Sequence, residues 1–430
     1  MSKSRSFSET GSAPGQTEIR QCDVVISGGG LAGLTLAAAL SSAGLEVALV
    51  DAQAPEKVLA APFDGRASAI AAGSRHILEG IGLWPLLADT AEPIRDIRVS
   101  DGRMDRRASP FFVHYDSEEL GLGPLGHIVE NRDLRLALHR LLQQREGFQL
   151  HAPDLVVEAR REAGGAEVRL KSGLVIRARL VVAAEGRNSP LRQAAGISVK
   201  SWQYRQSGLV CTLEHERPHH GVAHEHFLPN GPFAVLPLRD DEAGRHRSSL
   251  VWTERPELAE RMMALEPADF AREVQRRFGD TLGSFSVTGP RWSYPLSLMH
   301  ARHYRATRLA LVGDAAHVIH PIAGQGFNLG LRDVAALAEC IVDIRRLGLD
   351  IGSSSVLDRY ERWRRFDNML LAGITDGLNR LFSNDIPPIR LARDLGFAAV
   401  DRTPRLKKFF MRHAMGLVGD LPRLTRGDPL

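Results

Sequence analysis

The chain has 430 residues, of which 43% are hydrophobic and 25% charged, as in an ordinary globular protein of two or three domains. Its 55 basic and 51 acidic residues leave a formal charge of only +4. No nucleic-acid-binding motif accompanies them, which excludes nucleic acid as an expected partner. The three cysteines, Cys22, Cys211 and Cys340, are too few and too far apart for a disulfide framework or a metal knuckle. They suit a reducing cytoplasm.

Residues 1–20 are rich in Ser, Gly and polar groups, which predicts a disordered leader without the apolar core of a secretion signal. No run of about 18 apolar residues follows, so no membrane-spanning helix is predicted. The first organised segments read CDVVISGGG, LAGLTLAAALSSAG and LEVALVDAQ: a strand, a glycine turn with a helix, and a second strand. Such a βαβ unit predicts a parallel sheet covered by helices.

Gly28, Gly30 and Gly33 form the pattern G-x-G-x-x-G between that strand and that helix. The first glycine permits a tight turn, the second lets the backbone approach a pyrophosphate, and the third lets the helix lie close to the strand. The helix N-terminus favours the phosphate charge. Asp51 ends the second strand, where an acidic residue hydrogen-bonds the adenosine ribose. The pattern therefore predicts a dinucleotide site.

The same spacing recurs at Gly121, Gly123 and Gly126, but there it follows an acidic segment and precedes HIVEN rather than a helix. We therefore do not expect that match to bind a dinucleotide.

Hydrophobic periodicity predicts the remaining elements. They are a broken helix over 74–87, a strand over 94–102, a helix over 131–146, antiparallel strands over 156–170 and 174–184, a β-rich stretch over 207–253, a strand over 308–312, and helices over 328–347 and 353–382.

The stretch LALVGDAAHVIHPIAGQGFNLGLRD, residues 309–333, favours FAD over NAD. A strand ends at Gly313 and Asp314, where the carboxylate can bind the ribityl hydroxyls of a flavin. Pro321 stops the chain from continuing as a helix. A glycine-rich turn then opens the next helix, whose N-terminus would stabilise the charge of a reduced flavin. The residues of this turn are Gly324, Gln325, Gly326 and Asn328. A glycine-rich surface loop with a buried aspartate cap is the alternative.

Several histidines invite a functional interpretation. His317 and His320 lie beside the predicted flavin loop and could polarise a substrate hydroxyl, although a structural role is the alternative. A second group lacks a closed ligand set and a cysteine partner, so solvated or capping histidines are expected there and no metal. That group is His219, His220, His224 and His226.

Two further segments could contact a substrate or a membrane. Phe233, Val235 and Pro237 alternate along one strand with Trp252 on a neighbouring run, which fits either a substrate-pocket lining or ordinary sheet core. Residues 404–419 could form a membrane-surface helix or pack against the body of the protein or a partner subunit. The apolar stripe of this helix would be Leu406, Phe409, Phe410, Ala414 and Leu417, with Lys407, Lys408 and Arg412 on other faces.

GGGLAGLTLAAAL, AEGRNSPLR and VGDAAHVIHPIAGQGFNLGLRD together resemble the class A flavoprotein monooxygenases, and within them the ubiquinone-biosynthesis hydroxylases. FDGRASAIAAGS, GHIVENRDLRLAL, GPFAVLPL and YERWRRFDN add to a likeness that runs along the chain from Cys22 onward. In that family NAD(P)H reduces FAD, O2 adds to the reduced flavin, and the resulting hydroperoxide delivers one electrophilic oxygen atom to an electron-rich ring.

The resemblance also implies roles for single residues. Arg66 would contact the FAD phosphates or the isoalloxazine edge, and Asn131 or Arg132 the adenosine–ribityl side. Asp314 would bind the ribityl chain, while Pro321 to Gly326 would face the flavin ring. The middle motif has Glu185 where the family usually has Asp, and this longer carboxylate could still reach the pyrophosphate side or a nicotinamide.

The sequence thus predicts an α/β fold in which a Rossmann-type FAD-binding domain is interleaved with a β-sheet substrate domain, followed by a helical C-terminal extension. The FAD domain would comprise 21–91, 126–196 and 301–349, the substrate domain 92–125 and 197–300, and the extension 350–430. The expected function is hydroxylation of a lipid-tailed phenol for ubiquinone biosynthesis by a cytoplasmic enzyme. Such an enzyme could touch the inner membrane or a biosynthetic complex. A different flavin reaction and a non-catalytic assembly subunit are the alternatives.

Overall fold

The computed structural model describes residues 19–60, 65–101, 112–119, 121, 123–383 and 403–430. The predictions made for residues 1–18 and for Phe63 concern residues outside this described part. The strands described are β1 Ile19–Ser27, β2 Val47–Val50, β3 Ala67–Ala71, β4 Glu92–Ile94, β5 Asp96–Asp101, β6 Phe112–Asp116, β7 Gly126–Glu130, β8 Phe148–His151, β9 Val156–Glu162, β10 Gly165–Leu170, β11 Val175–Ala183, β12 Val199–His215, β13 Val222–Leu228, β14 Gly231–Leu238, β15 His246–Glu254, β16 Phe285–Ala301, β17 Arg305–Ala306, β18 Leu309–Leu311 and β19 His317–Val318.

The helices described are α1 Leu31–Ser42, α2 Pro55–Ala60, α3 Ala72–Gly80, α4 Asn131–Gln143, α5 Pro190–Ala194, α6 Pro256–Met263, α7 Pro267–Phe278, α8 Gln325–Arg346, α9 Ser354–Phe382, α10 Pro404–Ala414 and α11 Arg423–Arg426.

The first sheet has the strand order β17-β18-β11-β1-β2-β8, and all neighbours except β17 and β18 pair in parallel. Its central strands are short apolar runs buried on both faces, as expected of a parallel sheet covered by helices. The Ala- and Leu-rich α1 is buried over most of its surface, and α8 packs against it. The carboxyl ends of β1, β2 and β18 therefore meet at one edge of the sheet, where the glycine-rich segments follow.

The second sheet has the order β19-β16-β12-β15-β14-β13-β5-β6 and is antiparallel except between β13 and β5. Helices α6 and α7 cover one of its faces with an apolar core. The small third sheet, β3-β7-β4, is antiparallel. Because the strands of these sheets alternate along the chain, the predicted interleaved α/β architecture is confirmed.

Local boundaries differ from the predictions at four places. Strand β1 begins at Ile19, so the last two residues of the predicted leader are paired. Residues 156–170 form a hairpin instead of one strand, because the chain turns at Ala163 and Gly164. The strand expected over 94–102 is divided between two sheets near Arg95, whose amide donates to Gly221. Helix α8 starts at Gln325, three residues earlier than expected.

Candidate flavin site

The G-x-G-x-x-G motif between β1 and α1 has no room for side chains at two of its three glycines, Gly28 and Gly33. Gly28 has a φ of +107°, and a Cβ there would overlap the carbonyl oxygen of Ala184 on the neighbouring strand connection. A Cβ at Gly33 would overlap the carbonyl oxygen of Gly28, so glycine lets α1 approach the turn. At Gly30, the residue preceding α1, a Cβ would meet no atom within 4 Å. The backbone therefore leaves open space in front of a helix N-terminus, as a pyrophosphate requires.

Asp51, at the end of β2, lies directly beside this turn. One carboxylate oxygen accepts a hydrogen bond of 2.5 Å from the amide of Gly29, and the other accepts one of 2.7 Å from the amide of Gln53. These backbone donors fix the carboxylate at the edge of the glycine turn. The second glycine match has the opposite context, since Gly126 is the first residue of β7 rather than part of a helix opening.

A second helix N-terminus comes from the 309–333 stretch. Gly324 is in the left-handed conformation, with a φ of +60°, and Gln325 begins α8. A Cβ at Gly326 would meet nothing within 4 Å, so this helix end is also open. The side-chain amide of Gln325 donates weakly, at 3.5 Å, to the carbonyl of Ala414 on the last turn of α10.

Asn328 is fully buried and makes structural hydrogen bonds. Its side-chain oxygen accepts from the amide of Ala71, and its amide donates to the carbonyls of Ala69 and Gly324. This predicted cofactor residue therefore joins the first turn of α8 to strand β3. Strand β3 in turn directly follows Arg66.

Gly313 and Asp314 follow the strand β18. Gly313 has a positive φ of +57°, and the Asp314 side chain is exposed to solvent within a recess of the protein. The surrounding protein raises the pKa of Asp314 above its ordinary value, while His317 and Arg187 oppose that shift. A carboxylate in a recess is suited to hydroxyl groups of a bound ligand.

Arg66 and the N-terminus of α4 border the same region. The carbonyl of Arg66 accepts from the amide of Asn131, whose side chain accepts from the hydroxyl of Ser68. The guanidinium of Arg66 lies 5.9 Å from the ring centre of Tyr294 on β16. Arg132 is exposed. Arg66 thus lies between the glycine-built region and the second sheet.

Glu185 turns inward instead of towards open space. One oxygen accepts from the hydroxyl of Ser27 at 2.7 Å, and the other accepts from the hydroxyl of Ser189 at 2.5 Å and the amide of Leu191. The carboxylate therefore ties β1 to the start of α5. This explains why a side chain longer than the usual Asp is accommodated here.

A buried polar network beneath the Gly313 turn was not singled out by the sequence. The Asp333 carboxylate accepts from His317 at 2.5 Å, from Arg364 at 3.0 Å and from the amide of Gly313 at 3.2 Å. Asn368 donates to it as well. Burial alone would raise the pKa of Asp333, but these charges and donors hold it at about 2.

This network joins the flavin motif to α9. The signal was present, because Asp333 ends the 309–333 motif while Arg364 and Asn368 belong to YERWRRFDN. What the sequence did not reveal is that the two motifs meet.

His320 is fully buried next to Tyr204, with ring centres 5.1 Å apart. Its Nδ1 accepts weakly from the amide of Ile322, and its Nε2 has no hydrogen-bond partner among the described residues. Burial lowers the pKa of His320 to about 4, so the ring is neutral near pH 7. Pro321, the other catalytic candidate, is half-buried at the start of the turn before α8. His317 is committed to Asp333.

The predicted substrate lining requires correction. Phe233, Val235 and Trp252 are fully buried on the face of the second sheet that α6 and α7 cover, packed with Phe270 and other core residues. Pro237 is buried on the same face of its strand. These residues are sheet core, because helices α6 and α7 already occupy that side.

The opposite face of the second sheet carries a row of apolar side chains that the sequence analysis did not single out. Val210, Val251 and Ala234 lie side by side in register on three central strands, and all three are only half-buried. Trp292 continues the row on β16, and a Cβ at Gly65 would lie 3.5 Å from its ring. This apolar row therefore borders the loop that carries Arg66.

The C-terminal helix also differs from its predicted membrane orientation. Met411 and Met415, which the sequence pattern placed off the apolar stripe, are buried between the second and third sheets, and Lys407 pairs with Glu119 at 2.6 Å. Phe409 is exposed instead. The side chains of Leu406 and Phe410 lie outside the described part. Helix α10 thus packs against the body, the alternative left open by the sequence.

The histidine group has structural partners. The Nε2 of His219 bonds the carbonyl of Leu238, and His226 bonds the hydroxyl of Ser100. In the part of the chain that the structure describes, no cluster of three or more His, Cys, Asp or Glu could hold a metal. Within that same part, no helix is long and apolar enough to cross a membrane.

The donor set fits FAD. Two open helix N-termini, two glycines with free space in front of them, and carboxylates at Asp51 and Asp314 converge at the carboxyl edge of one parallel sheet.

Comparison with known proteins agrees with this fit. A family model described as an FAD binding domain matches residues 21–368. Ubiquinone hydroxylase UbiL of Rhodospirillum rubrum is 51% identical over 98% of this chain and 96% of its own length. The chain belongs to the FAD-dependent aromatic hydroxylases of ubiquinone biosynthesis.

Other relatives agree with this family assignment. The hydroxylase is 37% identical to the 3-demethoxyubiquinol 3-hydroxylase of Escherichia coli, over 92% of this chain and 98% of that protein. Among solved structures, p-nitrophenol 4-monooxygenase PnpA of Pseudomonas putida superposes with a TM-score of 0.77 at 20% identity. That match covers 94% of this chain and 99% of PnpA, and it supports the fold. The hydroxylase is an FAD-dependent monooxygenase.

Proposed function

We propose that the hydroxylase adds a hydroxyl group to the aromatic ring of a polyprenyl-tailed phenol on the way to ubiquinone, taking electrons from NAD(P)H and oxygen from O2. The observation that carries the proposal is the position of the Val210–Val251–Ala234 row, an apolar wall bordering the Arg66 loop of the flavin site. The likeness to named ubiquinone hydroxylases supports the choice of ring substrate.

FAD, when bound, supplies the redox chemistry by accepting a hydride and activating O2 for transfer to the ring. The chain's own residues bind and orient it. The amides at Gly30 and the start of α1 would hold the pyrophosphate, and Asp51 the ribose. Asp314 would hold the ribityl hydroxyls, and the amides from Gly324 to Gly326 the pyrimidine edge. Arg66 and Asn131 would close the site from β3 and α4.

The wall of the second sheet would orient the substrate ring and exclude water. Val210, Val251 and Ala234 present no hydrogen-bonding side chain, so a flat apolar ring displaces water from them without leaving polar groups unpaired. His320 is the candidate for contact with the substrate hydroxyl. Because Nδ1 accepts from the amide of Ile322, the neutral ring carries its proton on Nε2, which the described residues leave without a partner and which can donate a hydrogen bond to that hydroxyl.

The test is the visible spectrum of the purified protein under air, followed while NADPH and then a short-tailed phenolic quinone precursor are added. The proposal expects a flavin spectrum that bleaches faster when the phenol is present and a product heavier by one oxygen atom. Flavin that bleaches equally with and without phenol, and yields no hydroxylated product, would contradict it. Flavin that never bleaches would favour an electron-transfer partner or an assembly role within a biosynthetic complex.

A further inference from the structure

The outer face of the second half of α9 is apolar. Phe366, Leu370 and Ile374 are 69%, 53% and 45% exposed, although apolar side chains of this size normally avoid water. Their spacing of four residues puts them on one stripe of the helix. The other exposed positions from 366 to 381 are Met369, Gly373, Gly377, Arg380 and Leu381, so Arg380 is the one charged residue among them.

This stripe, the α9 outer face, is a local feature of the helix. The exposed positions of α9 before Phe366 are Ser354, Ser355, Arg359 and Arg362, all polar. At about 1.5 Å per residue, the stripe from Phe366 to Leu381 extends for roughly 22 Å. A contiguous apolar patch of that length on a folded surface marks an interaction site.

The charges at its ends are positive. Arg362 lies one turn before Phe366, and Arg380 lies next to Leu381 at the other end. The acidic residues of this segment are each balanced by an arginine, Asp367 by Arg364 and Asp376 by Arg380, and Arg362 and Arg365 leave residues 362–380 with a positive net charge. Trp202 lies on the neighbouring strand β12 and is 40% exposed. An apolar helix face with basic ends is the pattern of a helix that lies in the interface of an anionic bilayer.

The inner face of the same helix lies against the flavin region. Ala372 packs with Ile319 and Leu329, next to the turn that carries His320. Tyr204, which contacts the His320 ring, donates a hydrogen bond to Asp376 of α9. The helix therefore separates the exposed apolar face from the turn that carries His320 by its own thickness.

We propose that the α9 outer face docks on an anionic lipid surface, with Phe366, Leu370 and Ile374 inserted among the acyl chains and the arginines at the headgroups. The helix would lie along the membrane and would not cross it. The way this face would dock does not depend on the reaction. The biological reason for docking rests on the proposed function, because a polyprenyl tail partitions into the same bilayer.

The experiment is flotation of the full-length FAD-loaded protein with vesicles of phosphatidylcholine alone or with 30% phosphatidylglycerol (about one anionic lipid in three), at low and high salt. The test variant is Phe366→Ser/Leu370→Ser/Ile374→Ser. The matched control is Leu347→Ser/Leu349→Ser, which removes equally exposed apolar side chains elsewhere, since Leu347 and Leu349 are 70% and 55% exposed. A third variant, Arg362→Gln/Arg380→Gln, tests the basic ends.

We expect wild type and the matched control to float with the anionic vesicles. The triple variant should lose binding by roughly tenfold or more. The arginine variant should lose mainly the fraction of vesicle binding that high salt also removes. All variants should keep their flavin spectrum and their hydroxylation of a short-tailed phenol. That activity reports separately on the proposed function, so either proposal can fail while the other stands.

Two results would overturn the inference. One is absence of wild-type flotation on both kinds of vesicle. The other is wild type that sediments as a dimer while the triple variant is monomeric and floats as well as wild type, which would assign this face to a second copy of the chain.

Discussion

The flavin region and the second sheet differ in which part of the chain forms the site: backbone in the first, and side chains on one face of a sheet in the second. In the flavin region the site is formed by backbone that carries no side chain, at Gly28, Gly30 and Gly326, and by the open ends of two helices. On the second sheet both faces carry apolar side chains, so Phe233 and Val251 look equivalent along the chain although one is core and the other borders the site. A site built from backbone can therefore be found by spacing. A site built from one face of a sheet requires knowledge of what covers the other face.

The largest effect should come from Gly28→Ala. The added methyl would meet the Ala184 carbonyl, and the residue would need a left-handed φ, so both the fold of the turn and FAD binding should be lost. Gly30→Ala is the matched control. At a φ of −71° the methyl fits the empty turn, and it obstructs only the cofactor. Melting of the apo protein and FAD titration should separate the two. A stable Gly28→Ala protein with normal FAD affinity would contradict the backbone argument.

Asp333→Asn should destabilise the protein by about 3–5 kcal/mol, because it removes the buried charge partner of Arg364 and leaves that guanidinium only the more exposed Asp367. Since Asp333 also holds the amide of Gly313, FAD affinity should fall as well. Denaturant unfolding and FAD titration measure the two effects. Asp358→Asn, which breaks an exposed pair with Arg305, should cost less than about 1 kcal/mol. Equal losses in the two variants would show that burial of the network is unimportant.

The two faces of the second sheet can be separated directly. Phe233→Ala should cost about 3–5 kcal/mol of stability, because it opens a cavity in the helix-covered core. Val251→Trp should leave the melting temperature almost unchanged but lower kcat/KM for the phenol by roughly tenfold or more, because it fills the space before the wall. If Val251→Trp were fully active and Phe233→Ala lost only activity, the assignment of faces would be reversed.

A smaller effect is expected from pH. Burial lowers the pKa of His224 to about 3 and of His226 to about 4, so the folded state excludes protons that the unfolded chain binds near pH 6.5. The stability contribution is therefore complete above about pH 6.5 and is lost as the pH falls towards 4. At about 1.4 kcal/mol per pKa unit, the shift of His226 corresponds to roughly 3 kcal/mol.

His226→Asn should flatten this part of the profile of unfolding free energy against pH. Exposed His413→Gln should leave it unchanged. An unchanged slope in His226→Asn would mean that this histidine does not carry the effect.

The sequence determined most of the fold and predicted the cofactor side of the site. The βαβ unit, the helix over α9 and the open ends at α1 and α8 follow from short-range patterns, because glycine spacing and hydrophobic period act through neighbouring residues. Asp51 and Asp314 were predicted for the same reason, since each follows a buried strand.

Only the tertiary structure decided three other matters. It turned Phe233 and Trp252 into the core, because α6 and α7 cover that face. It brought Asp333 and Arg364 together across 31 residues in one buried network. It also turned Met411 of α10 inward while leaving Phe366 of α9 in water. In each case the choice between burial and exposure depends on packing against distant elements, and no local pattern in a single chain contains that information.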